Sequence, residues 1–78
     1  MPNSADGIRQ RFEALFGALA VADKIAFVTG KHRATVYRWL EHGFPEQPVF
    51  ILELLESLQK IPRKNWPKRV RDLIITKK

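Results

Sequence analysis

Arg33 and Arg38 stand five residues apart in the run GKHRATVYRWL, with Lys31 and His32 just ahead of them and Ala34, Thr35 and Tyr37 between. A guanidinium presents a rigid fork of donors that can give two parallel hydrogen bonds to O6 and N7 of guanine, each such pair discriminating by about 1–3 kcal/mol. His32 and Arg33 fall where a helix would open, and there free backbone N–H groups and the positive end of the helix dipole favour a phosphate. Ala34 is small enough for close approach, and its methyl suits that of thymine. Tyr37 can stack or bond a phosphate, Thr35 and Lys31 suit phosphate oxygens, and His32 suits either kind of contact. This is the chemistry of recognition rather than of bond-making. The two histidines, His32 and His42, have no paired carboxylate at a useful spacing, and there is no metal-ligand cluster and no glycine-rich phosphate loop after a strand. No catalytic residue, metal or cofactor is therefore assigned, and the chain is not read as an enzyme.

Such residues act only if a rigid element presents them. Taking Val36, Trp39 and Leu40 as the buried stripe of a helix, about 100° per residue places Ala34, Arg38 and Glu41 on the opposite face, with Tyr37 and Thr35 on its flanks. Glu41, at the far end, either accepts from cytosine or faces away. That helix starts near His32 or Arg33 and ends before Gly43. A preceding short helix over 22–29 turns Ile25, Ala26 and Val28 inward, and Phe27 is left either to pack on the first helix or to join a surface patch. Two helices crossing steeply need a residue no larger than alanine at the crossing, which Ala26 supplies. The chain must then reverse within a few residues. Gly30, lacking Cβ, takes the left-handed conformation that ends one helix and opens the turn.

Around this pair the spacing predicts three further helices. Ile8, Phe12, Leu15, Phe16 and Leu19 recur at helical intervals from Asp6 to about Leu19. GFPEQP reads as a loop, followed by a helix over 48–59 with Pro48 in its first turn. Val49, Phe50, Ile51, Leu52, Leu54, Leu55 and Leu58 cover most of that helix, leaving chiefly Glu53, Glu56 and Ser57 for water, so it needs cover on more than one side. A short fifth helix begins at Trp66, with Pro67 in its first turn and Val70, Leu73 and Ile74 along it. LIIT near the end could instead pair as a strand across a dimer. The expected fold class is all-α: a compact bundle of about five helices in one domain, with residues 1–5 disordered, 6–60 holding the helix–turn–helix, and 61–78 forming a basic segment of the same domain.

Seventy-eight residues allow one small core, marginal without a partner, so a homodimer is expected. The chain lacks cysteine, which excludes disulfides and thiol chemistry. No apolar run approaches the ~20 residues needed to cross a bilayer, and the first ten residues have no leader-like pattern. A cytoplasmic protein without a membrane role is expected, and no small-molecule effector site is evident. The net charge is +6, unevenly spread: residues 1–59 hold six basic and seven acidic side chains, whereas 60–78 hold eight basic and one acidic. That balance favours a polyanion, and Arg63, Lys64, Lys68 and Arg69 become further phosphate-contact candidates.

The run TGKHRATVYRWLEHG resembles the helix-turn-helix of the Cro/CI-type, lambda-repressor-like domains of phage and bacterial regulators, over roughly residues 5–60. Gly30, Arg33, Ala34, Thr35, Val36, Tyr37, Arg38, Trp39 and Leu40 match the family pattern. Thr29 and Lys31 replace apolar residues beside the glycine, and His32 replaces the usual serine or threonine cap, which predicts a cap weaker by about 1 kcal/mol. Trp66, Pro67, Lys68 and Arg69 are similar to the Trp-Pro-Ser-Arg ending of Ner-like phage repressors. The resemblance implies a five-helix fold, dimeric binding to palindromic operators on double-stranded DNA, and base contacts from His32, Arg33, Ala34, Tyr37 and Arg38. It implies a transcriptional repressor of a phage or mobile element, working in a bacterial or phage-infected cell. The alternatives are a protein-interaction module, such as an antitoxin or adaptor, and an excisionase-type architectural DNA binder.

Overall fold

Helix α1, Ala5–Phe16, buries Ile8, Phe12, Leu15 and Phe16, the apolar face that its spacing predicts. The computed structural model describes residues 5–74 of the chain. Ala5 already lies in α1, which corrects the expectation of disorder as far as residue 5; residues 1–4 lie outside the described part. The helix also stops earlier than predicted. Gly17 takes φ +86° and its N–H donates to the Glu13 carbonyl at 2.8 Å, a left-handed exit that glycine makes without steric cost. Leu19 therefore falls in the turn, 85% exposed, rather than on the buried stripe.

Ala20 opens helix α2, Val21–Thr29, from a left-handed conformation with φ +55° and without a side-chain cap. Lys24 Nζ, one turn into α2, donates to the Phe16 carbonyl at 3.0 Å and so satisfies one of the orphan acceptors at the end of α1. Val21, Ala22, Ile25 and Thr29 are buried, while Ala26 and Val28 are half-buried against the core. The unexpected member of that set is Thr29. Its hydroxyl donates to the Ile25 carbonyl at 2.8 Å, so the polar group is satisfied inside the helix and the methyl is free to pack.

Gly30 then adopts φ +72°, and the Ala26 carbonyl accepts from both the Gly30 and the Lys31 N–H, at 2.9 and 3.2 Å. This double acceptance closes α2 and starts helix α3, Arg33–His42, within three residues. Val36 is fully buried, with Trp39 and Leu40 half-buried beside it. Gly43 ends α3, its N–H donating to the Trp39 carbonyl at 2.8 Å.

Helix α4, Glu46–Ser57, starts two residues before the predicted position, so Pro48 is its third residue. The difference has a simple cause: no N–H in the first turn has an intrahelical acceptor, so proline is tolerated there. Pro48, Val49, Leu52 and Leu55 are buried. A 3-10 turn, Leu58–Lys60, extends the helix, and a second, Arg63–Asn65, leads to Trp66. Helix α5 is a single turn, Lys68–Arg71, with Pro67 as its N-cap rather than inside it. Leu73 and Ile74 follow in a turn, Ile74 buried, and no strand occurs among the described residues; the rest of LIIT lies outside them.

The result is an all-α bundle of five helices. α1 packs against α2, α3 and α4, and α2 against α3 and α4. An aromatic ladder runs through the centre, Phe16 to Phe12 to Phe44 to Trp39, with ring centroids 5.8–5.9 Å apart, the offset and tilted spacing that aromatic pairs prefer. Arg11 of α1 grips Glu56 of α4 with two bonds, Nε to Oε2 at 3.0 Å and Nη2 to Oε1 at 2.6 Å. The hydrogen bonding to Glu56 raises the Arg11 pKa above the ordinary arginine value; partial burial opposes it, and the charges of Glu56 and Glu53 add to it.

Candidate nucleic-acid interface

The side of α3 away from Val36 carries Arg33, Ala34, Tyr37, Arg38 and Glu41, all exposed. Ala34, Tyr37, Arg38 and Glu41, with Leu40 and His42, line one shallow open depression on the surface. Arg38 has no hydrogen-bond or ion-pair partner among the described residues, so its guanidinium projects from a helix whose reverse side is fixed in the core. Glu41 faces water and lies 3.5 Å from His42 Nε2.

The opening of α3 combines three features. Lys31, His32 and Arg33 are exposed, and the first turn holds no acidic residue. His32 is the N-cap: its Nδ1 accepts from the Ala34 N–H at 3.0 Å, so the imidazole does the work of a serine or threonine cap. With Nδ1 an acceptor, the proton of the neutral ring sits on Nε2, which makes the outer edge of His32 a donor. Arg33 is less free than Arg38. Its Nη1 lies 3.2 Å from Asp23 Oδ1, an ion pair across the α2–α3 crossing. Thr35, expected to meet phosphate, is half-buried on the flank.

The basic C-terminal segment is more divided than its composition suggests. Arg63 Nη2 donates to the Arg71 carbonyl at 2.8 Å, and its guanidinium lies 5.8 Å from the Trp66 ring centroid. It braces the turn, so Arg63 has a structural role beside the phosphate contact expected of it. Trp66 is buried and its Nε1–H is shared between the Leu58 and Ile61 carbonyls, at 2.8 and 2.9 Å. Arg69 covers the ring of Phe27 at 5.1 Å, which settles Phe27 on the surface rather than against α1. The same Arg69 rims a groove of about 350 Å³ with Phe27, Thr29, Gly30, Ile51 and Leu55, so it stands beside the α2–α3 turn. Lys64 and Lys68 are exposed.

Asp23, Phe44 and the indole N–H of Trp66 were missed by sequence reasoning. An acidic residue in the first turn of α2 is already explained by the helix dipole, so nothing local pointed to Arg33 ten residues on. Among the described residues no three His, Asp or Glu side chains converge as a metal site would need, and no helix is long and apolar enough to cross a membrane. No family model, curated protein or solved structure matches the chain.

Proposed function

We infer that the chain is a sequence-specific regulator that binds double-stranded DNA, a lambda-repressor-like, Cro-like dimeric repressor reading an inverted-repeat operator through the major groove. One observation carries this: Arg38 is unpaired among the described residues and exposed on α3, whose other face is held by the fully buried Val36, beside a turn edged by Lys31, His32 and Arg33. A recognition helix docks with its N-terminal part toward base edges, and two copies read successive major grooves about 34 Å apart. Arg38, Ala34 and Tyr37 then face bases, with His32 and Arg33 at the mouth. Lys31, Lys64, Lys68 and Arg69 add phosphate contacts, which bring affinity and salt dependence but little sequence information.

Dimerisation is supported by α4. Phe50 and Leu54, one turn apart, are 59% and 52% exposed, an apolar strip without cover in the single chain. The same strip favours a second reading, a module that docks on another protein. Size-exclusion chromatography with light scattering separates them: a self-sufficient dimer of about twice the 9.1 kDa chain supports the repressor, and a monomer or aggregate supports the adaptor. Selection of bound fragments from random duplex DNA tests the function itself. Recovery of one palindromic sequence is the expected result, and recovery of unrelated fragments overturns it.

A further inference from the structure

We propose that Asp23 is a specificity-determining residue, a positioning carboxylate that makes Arg33 choose a base edge over the phosphate backbone. The proposal rests on the DNA-reading function above. Asp23 sits in the first turn of α2 and Arg33 opens α3, and a single contact joins them, Nη1 to Oδ1 at 3.2 Å. Their side chains are 53% and 59% exposed, so the pair lies at the surface where solvent screens it and contributes little to folding stability. The buried Val21, Ile25 and Thr29 hold α2 without it. What the pair does control is the guanidinium.

Arginine has five N–H donors in a planar fork. With Nη1 turned to Asp23, the edge formed by Nε and Nη2 remains, and that edge can give the two parallel bonds that O6 and N7 of guanine accept. The carboxylate thereby biases the guanidinium toward that orientation before any ligand arrives. It also places a negative charge beside Arg33, at the edge of the cation-rich run Lys31, His32 and Arg33. A phosphate approaching Arg33 meets that charge and must displace it, whereas the guanine edge is neutral and needs no displacement. Asp23 thus penalises backbone binding more than base reading, and the α2 residue sets the selectivity of an α3 residue.

The test is Asp23→Asn, measured by fluorescence anisotropy on two duplexes of equal length, the operator recovered by selection and a random sequence, at several salt concentrations. Affinity for random DNA is expected to rise several-fold, with a salt slope steeper by about one as Arg33 turns to phosphate. The preference for operator over random DNA is expected to fall about tenfold, the size of one lost bidentate contact. Asp23→Glu, which keeps the charge, restores part of the preference. The same substitution made in an Arg33→Ala background is expected to leave the preference unmoved, which separates a role through Arg33 from a general loss of negative charge. Equal gains on both duplexes, or an undiminished effect without Arg33, overturn the assignment of Asp23 while leaving DNA reading intact. A wild-type chain that selects no sequence over random DNA overturns both.

Discussion

Helix α3 with the turn before it and the segment 60–74 are both rich in cations, yet Arg38 of the first and Arg63 of the second are held in opposite ways. On α3, Arg38 is held by a rigid backbone and left without a partner among the described residues. In the C-terminal segment, Arg63 reaches the Arg71 carbonyl and the Trp66 ring, and Arg69 lies over Phe27. Charge counted along the sequence would put the binding surface at the C-terminus, where the excess lies. The contacts put a free, well-oriented guanidinium on α3 and lay two of the C-terminal ones, Arg63 and Arg69, against the chain itself. Density of positive charge and availability of positive charge are different properties, and only coordinates separate them.

Four substitutions test this contrast. Trp66→Ala has the largest expected effect, about 3–5 kcal/mol of lost stability, because it removes a buried indole and leaves the Leu58 and Ile61 carbonyls without its N–H. Urea denaturation measures it, and a loss under 1 kcal/mol would mean that the C-terminal segment is an appendage. Arg38→Ala is expected to relax base preference at one position of each half-site by about 1–3 kcal/mol while moving stability by less than about 0.5 kcal/mol. Equal loss on operator and random duplexes would show that Arg38 meets only backbone. Arg63→Ala should lower stability by about 1 kcal/mol through its bond to the Arg71 carbonyl and leave the salt slope of DNA binding unchanged. Lys64→Ala, next to it, should do the reverse: stability holds and the salt slope shrinks by about 0.9. If those two behave alike, the division of labour within the segment is wrong.

Much of the fold was legible because it depends on local rules. The stripe Ile8, Phe12, Leu15, Phe16 marks α1, and a glycine followed by Val36 and Trp39 at the right intervals marks the turn and the inner face of α3. The failures arise where periodicity continues past a physical stop. Leu19 keeps helical phase with Leu15, but the left-handed Gly17 ends the helix before it. Phe44 stands between a glycine and a proline in a stretch without periodicity, so its burial between Phe12 and Trp39 depends on contacts no local window contains. Phe50 and Leu54 look like core by type, yet the chain has too few helices to cover every side of α4. The candidate site was read at the level of which face points out. The pairing of Arg33 with Asp23 and of Arg63 with Arg71 was not legible, since each depends on how separate turns meet in space.

The aromatic ladder has a bearing on whatever approaches α3. Because Trp39 packs through tilted contacts with Phe44 onto Phe12 and Phe16, the tilt of α3 is set by the same packing that folds α1, and the helix cannot swing without opening the centre of the bundle. Its orientational freedom is already surrendered when the chain folds. A ligand meeting this face therefore encounters a preset template, and the entropy that an adjustable loop would forfeit on association is not charged against its affinity.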